Sequence, residues 1–168
     1  MPHGGDFKGL EEVVSSNASS GVSLEPRIPV GVLLIEDDLA TSNALQRLLD
    51  EVAGRRLWLW HERTATAAGR ILAVCQFRLI LLDLALPDGP SGVAIRLIKR
   101  AAPDTPLALL ASPTDVGIDH QPFTDKHARL AGAITVLPKR EAAPLLRVLH
   151  SVLHTPHTPR RRRNARRC

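Results

Sequence analysis

Cysteine is nearly absent: the 168-residue chain has two, Cys75 inside a helical pattern and Cys168 at its end. Two such residues offer neither a disulfide framework nor zinc-ligand spacing, so both read as free thiols. Aromatic residues make up 3% of the sequence, and Phe7, Phe77 and Phe123 are too scattered to build a stacking platform. No run of about 18 apolar residues is present to span a bilayer. The opening MPHGGDFKGLEEVV lacks the basic-then-apolar layout of a secretory signal, so a cytoplasmic protein without a membrane span is expected. No GxGxxG follows the first apolar run to cradle a dinucleotide. Nothing has the pattern of a helix-turn-helix or zinc finger, which argues against sequence-specific reading of DNA.

Charge of one sign is also scarce once it is located. The net charge is +5, but residues 160–168, RRRRNARRC, hold six arginines, and removing those six leaves −1 for the rest. The basicity therefore belongs to a tail and not to a domain. Such a tail can contact nucleic-acid phosphates non-specifically, rest on an acidic protein or membrane surface, or be a solvated terminus.

What is present is an alternation of apolar runs and helical patterns. Residues 1–28, rich in Ser, Gly, Asn and Pro, read as a flexible leader. From Pro29, VGVLLI (30–35) precedes a helical pattern over 39–54, with Ala40, Ala44, Leu45, Leu48, Leu49 and Val52 on one face and Gly54 placed to end it. LWLW (57–60) precedes a helix over 64–76, and RLILLD (78–83) precedes one over 91–102. PLALLA (106–111), a less regular segment around 121–131, AITVL (133–137) and a helix over 141–154 complete the series. Five strands alternating with helices, the central ones uniformly apolar, predict an α/β fold with a parallel sheet covered on both faces. Residues 155–168 read as a disordered Arg-rich tail. Trp58 and Trp60 read as packing residues, one for each face of the second strand. His150, His154 and His157 read as surface residues, because Pro156 and Pro159 interrupt the helix.

In open parallel sheets, ligands sit beyond the carboxyl ends of strands where the strand order reverses. Glu36, Asp37 and Asp38 follow the first strand, Asp83 ends the third, and Lys139 lies just past the fifth. Carboxylates crowded there repel unless a cation neutralises them, and Mg2+, a hard cation that takes one or two carboxylates and bridges to phosphate oxygens, suits such a set. Acids at a helix start also favour its dipole, which is a sufficient reason for Asp38.

The ordered set VLLIEDD, LILLDLALPDG, PLALLAS and AGAITVLPKR resembles the receiver domain of bacterial two-component response regulators, over residues 29–154. The resemblance implies a flavodoxin-like five-stranded parallel sheet of order 2-1-3-4-5. It implies Asp83 as the acceptor of a phosphoryl group from a histidine kinase or phosphotransfer protein. Glu36, Asp37, Asp83 and the backbone carbonyl of Ala85 would hold Mg2+, and Lys139 would contact the phosphoryl oxygens. Such a chain is a phosphorelay component signalling to a downstream protein, not an enzyme beyond autophosphatase activity.

Two departures stand beside these matches. Ala111 occupies the position of the family's hydroxyl residue, and Ser112, one residue later, reaches the site only if the strand ends or bulges there. Val136 stands where the fifth strand normally carries an aromatic, and Arg140 replaces the proline after the lysine. With Pro113, Gly117 and Pro122 making a regular fourth helix doubtful, the second reading is a degenerate receiver acting as a constitutive interaction module. An aspartate-nucleophile phosphatase fits less well, because Ala85 stands where that chemistry uses a second aspartate.

Overall fold

A computed structural model describes residues 30–53, 56–112, 115, 124–139, 141–155 and 166–167. The elements run β1 (Val30–Ile35), α1 (Leu39–Ala53), β2 (Leu57–Glu62), α2 (Ala65–Val74), β3 (Cys75–Gln76), β4 (Leu79–Asp83), α3 (Ser91–Ala101), β5 (Leu107–Ala111), α4 (Asp125–Leu130), β6 (Thr135–Pro138), α5 (Ala142–His154) and β7 (Arg166–Arg167). Five strands form one parallel sheet in the order β2-β1-β4-β5-β6. The order is 2-1-4-5-6 and not the expected 2-1-3-4-5, because the short β3 intervenes in the chain and pairs elsewhere, with β7.

Side chains alternate across a strand, and here both faces are buried, which is why the runs are uniformly apolar. Every residue of β4 and β5 is buried. Leu33, Ile35, Ile80, Leu82, Leu107 and Leu109 pack in one layer with Ala68 and Leu72 of α2, Ile95 and Ile98 of α3 and Ala128 of α4. Val32, Leu34, Leu79, Leu81 and Leu110 pack in the other with Leu45 and Leu49 of α1 and Leu145 and Leu149 of α5. The expected face of α1 is narrower than its sequence pattern. Ala40 and Ala44 are exposed, and Ser42 is buried by donating its hydroxyl to the Leu39 carbonyl (3.1 Å). The Arg78 guanidinium donates to the carbonyls of Val152 and Thr155 (2.7 Å to the latter), placing a cation on the C-terminal end of α5.

The two tryptophans share one face of β2, contrary to the expected split, since residues two apart on a strand point the same way. Their rings meet edge to face at 6.2 Å, and Trp58 also lies 5.5 Å from Phe77. Trp58 crosses over Gly31 of the neighbouring strand, so a Cβ at Gly31 would come within 2.7 Å of its ring. Gly31→Ala is therefore expected to cost about 1–3 kcal/mol through overpacking. Urea unfolding checks this, and an unchanged midpoint would show that the ring has room to move.

One further expectation changes. Cys75 is disulfide-bonded, not a free thiol. Arg166–Arg167 form β7, while residues 156–165 and 168 of the expected tail and all of the expected leader, 1–28, lie outside the described residues. His150 and His154 stack at 4.0 Å, while His157 lies outside the described residues. No helix among the described residues is long and apolar enough to cross a membrane.

Candidate functional site

β1 and β4 are neighbours in the sheet, yet the chain leaves β1 for β2 on one side and returns to β4 on the other. Their carboxyl ends therefore flank the point of reversal. Ile35 registers with Leu82, which brings the next residues, Glu36 and Asp83, level with each other. Two strands away, the Lys139 N–H donates to the Ala111 carbonyl (3.0 Å), fixing the start of the loop after β6.

Lys139 reaches back across that end of the sheet. Its Nζ lies 2.7 Å from Asp83 Oδ2 and 3.0 Å from Glu36 Oε2, and donates to Glu36 Oε1 at 3.3 Å. Glu36 is fully buried and Asp83 is 1% exposed. Glu36, Asp37 and Asp83 each offer a carboxylate oxygen within 4.8 Å of the others. Two of the three acids, Glu36 and Asp83, share one ammonium, and Asp37 adds a third carboxylate beside them.

Smaller contacts hold these groups. The Glu36 N–H donates to the Glu62 carbonyl (3.0 Å), and His61 Nε2 lies 2.7 Å from the Glu36 carbonyl oxygen. Glu36 Oε1 accepts from the Asp38 N–H (3.2 Å), whereas the buried Oε2 has the Lys139 ion pair as its contact. Asp83 Oδ1 accepts from the Ala85 N–H (3.0 Å), which places Ala85 at the rim. Asp38 turns away and starts α1, accepting from the Ala40 and Thr41 N–H groups (3.2 and 3.1 Å) and from the Thr41 hydroxyl. These bonds hold its carboxyl below the usual range.

Burial, followed by the adjacent Asp83 charge, raises the Glu36 carboxyl to about 7 from an ordinary 4.5, against the opposing pull of Lys139. Burial alone would lower the Lys139 ammonium; its bonds to Asp83 and Glu36 outweigh that and raise it. Between pH about 4.5 and about 7 the folded state holds a proton at Glu36 that the unfolded state has released. In the metal-free protein, stability therefore falls as pH rises through this window and levels off above it, by an amount on the order of a few kcal/mol. Glu36→Gln should lack this slope. Urea unfolding of both chains in chelator at pH about 5 and about 8 checks it, and equal pH dependence would contradict the assignment.

One positioning residue was not singled out in the sequence. Asp88, in the turn after β4, accepts from the N–H groups of Ala65 (3.2 Å) and Thr66 (2.9 Å) and from the Thr66 hydroxyl (2.9 Å). It ties the loop carrying Ala85 to the first turn of α2, whose own cap is Thr64, accepting from the Ala67 N–H (3.1 Å). Gly89 follows with φ of 142°, a backbone state that suits glycine. The Thr66 partner of Asp88, 22 residues away along the chain, leaves no pattern in the sequence.

β5 ends at Ala111, so Ser112 meets the strand-end condition; its N–H donates to Asp115 Oδ2 (2.6 Å). Val136 is half-buried against the α2–α4 layer, and its N–H donates to Asp125 Oδ1 (2.7 Å). Arg140 lies outside the described residues.

No known family matches the sequence, and no curated protein matches it. The solved structures that match are receiver domains. One is the receiver domain of a sensor histidine kinase from Pseudomonas aeruginosa PAO1, crystallised with a magnesium ion coordinated in its active-site cleft. It is 20% identical with a TM-score of 0.62, over 76% of this chain and 100% of that one. Another is the signal receiver domain of an HD domain-containing protein from Pseudomonas fluorescens Pf-5, 24% identical with a TM-score of 0.62, over 80% and 93%. A third, the CheY-like response regulator receiver domain protein from Methanospirillum hungatei JF-1, is 19% identical with a TM-score of 0.60, over 75% and 94%. The fold of this chain is that of the response regulator receiver domains.

Proposed function

We propose that the chain is a phosphorelay receiver, taking a phosphoryl group onto Asp83 from a histidine kinase or phosphotransfer protein and passing its state to a downstream protein. The observation that carries this reading is Lys139 Nζ, 2.7 Å from Asp83 Oδ2 inside a cluster of three acids. Phosphoryl transfer needs little covalent chemistry from a protein; it needs alignment and compensation of charge on the phosphoryl oxygens. Here a carboxylate oxygen of Asp83 forms the new O–P bond while the donor's P–N or P–O bond breaks and its electron pair leaves with the donor. Lys139 is placed to follow the phosphoryl oxygens.

The donor set fits a hard divalent cation, because the three acids outnumber the one ammonium and their oxygens converge within 4.8 Å. Glu36, Asp37, Asp83 and the Ala85 carbonyl are the residues that would hold Mg2+, which supplies charge neutralisation at the phosphoryl oxygens. Ser112, just beyond β5, is the candidate hydroxyl contact. In this reading the chain is an acceptor with at most autophosphatase activity, working in the cytoplasm. No observation on the described residues favours nucleic-acid contact by the tail or the constitutive module.

The test is incubation with a small acyl-phosphate donor, with and without chelator. Incorporation of one phosphoryl group that requires Mg2+ is expected. No incorporation from either the donor or a panel of histidine kinases would remove the proposal.

A further inference from the structure

α2 and α3 pack side by side over one face of the sheet, each with a buried stripe: Ala65, Ala68 and Leu72 from α2, Ala94, Ile95 and Ile98 from α3. A second stripe on α3, Val93, Leu97 and Ala101 at spacings of four, stays outside that core, with Val93 49% and Leu97 38% exposed. Leu97 and Ala101 face Gly69 and Ala73 of α2 across an open groove of about 450 Å³, and Arg70 and Arg100 line it as well. Glycine inside a helix is unfavourable relative to alanine. Yet a Cβ at Gly69 would meet Leu97 at 3.6 Å, an ordinary contact, so packing of α2 on α3 does not require the glycine. What its missing side chain leaves is depth in the groove. The charge beside it is of one sign. The two helices carry Arg70, Arg96, Lys99 and Arg100 and no carboxylate. Nearby acids are engaged elsewhere: Asp88 accepts from Ala65 and Thr66, and Asp104 acts on Lys99, whose ammonium donates to the Pro103 carbonyl (2.7 Å). Arg70 and Arg100 are exposed and have no carboxylate partner among the described residues.

We propose that this groove docks an acidic amphipathic helix of a partner protein, with its apolar side chains on Gly69, Ala73 and Leu97 and its carboxylates on Arg70 and Arg100. A helix laid into an apolar groove presents anchors every three or four residues, which matches the spacing of these stripes. Each guanidinium fork can hold a carboxylate by two parallel hydrogen bonds, so the charges fix the orientation of the helix while the apolar contact supplies affinity. A nucleic-acid strand fits less well: an aliphatic floor offers nothing to phosphates, and no aromatic side chain among the described residues lines the groove to stack a base. The inference rests on the proposed phosphorelay role only in calling the partner a downstream protein. The docking itself needs no phosphoryl group, so the two readings fail separately.

The experiment selects binders to the full, unphosphorylated chain from a display library of randomised helical peptides. Recovered peptides are expected to combine aliphatic residues three and four apart with flanking Asp or Glu. Affinity of such a peptide should fall about tenfold or more in the double variant Arg70→Glu, Arg100→Glu, and return when the peptide's acids are changed to lysine. That return also shows that the double variant is folded. Gly69→Leu, which fills the groove without changing charge, should weaken the same peptide. Recovery of no binder, binders without acids, binding unchanged in the double variant or in Gly69→Leu, or random-sequence DNA held by Arg70 and Arg100 in place of peptide would each overturn the proposal.

Discussion

Asp83→Asn is expected to take up no phosphoryl group under conditions expected to label the wild-type chain once. Asparagine keeps the shape of the side chain at the end of β4 but has no carboxylate oxygen to form the acyl phosphate. The substitution is also expected to leave the fold intact. Lys139 keeps Glu36 as a partner at 3.0 Å, and loss of the Asp83 charge relieves one of the two causes that raise the Glu36 carboxyl. An unfolded variant therefore does not account for lost labelling, and a cooperative urea transition near that of the wild type provides the control. Labelling at wild-type level in Asp83→Asn would place the chemistry on another residue.

Lys139→Met is expected to have the largest effect on stability. Methionine retains the length and apolar stem of lysine and removes only the ammonium, so the buried carboxylates of Glu36 and Asp83 lose the cation they share. Breaking a buried pair by removing one partner costs about 3–5 kcal/mol. Protonation of Glu36, already raised to about 7, moderates this towards the lower end near neutral pH. Urea unfolding in chelator should show a loss of about 3 kcal/mol, with part of it recovered in millimolar Mg2+ as the cation takes over the neutralising role. Labelling from a small donor should fall as well, because the phosphoryl oxygens lose their ammonium contact. Unchanged stability in chelator would mean that the ammonium does not compensate those charges.

Much of this arrangement was legible in the sequence because strands buried on both faces leave a simple signature. Val32 to Ile35 and Leu79 to Leu82 are continuous apolar runs, and the acids that stop them, though buried, need a charged partner that the core does not supply. The switch-point rule then brings Glu36 and Asp83 together without any knowledge of side-chain contacts. Lys139 was placed by the same logic at the end of β6. Less was visible wherever the deciding contact is distant along the chain. The capping of α2 by Asp88 needs the β4–α3 turn to lie over another element, and the exposure of Ala40 and Ala44 depends on how α1 rolls on the sheet. The pairing of β3 with β7 was hidden for a related reason: it joins Cys75 and Arg166, far apart along the chain, and leaves no pattern in the sequence. The shared face of Trp58 and Trp60 follows from strand periodicity alone and required no structure.

The most direct measurement is the location of the adduct itself. Wild-type protein treated with Mg2+ and an acyl-phosphate donor would be trapped by borohydride reduction, digested and sequenced by mass spectrometry. The account predicts a single modified side chain, Asp83. A modification at Asp37, Asp88 or a histidine, with Asp83 recovered unchanged, would contradict it.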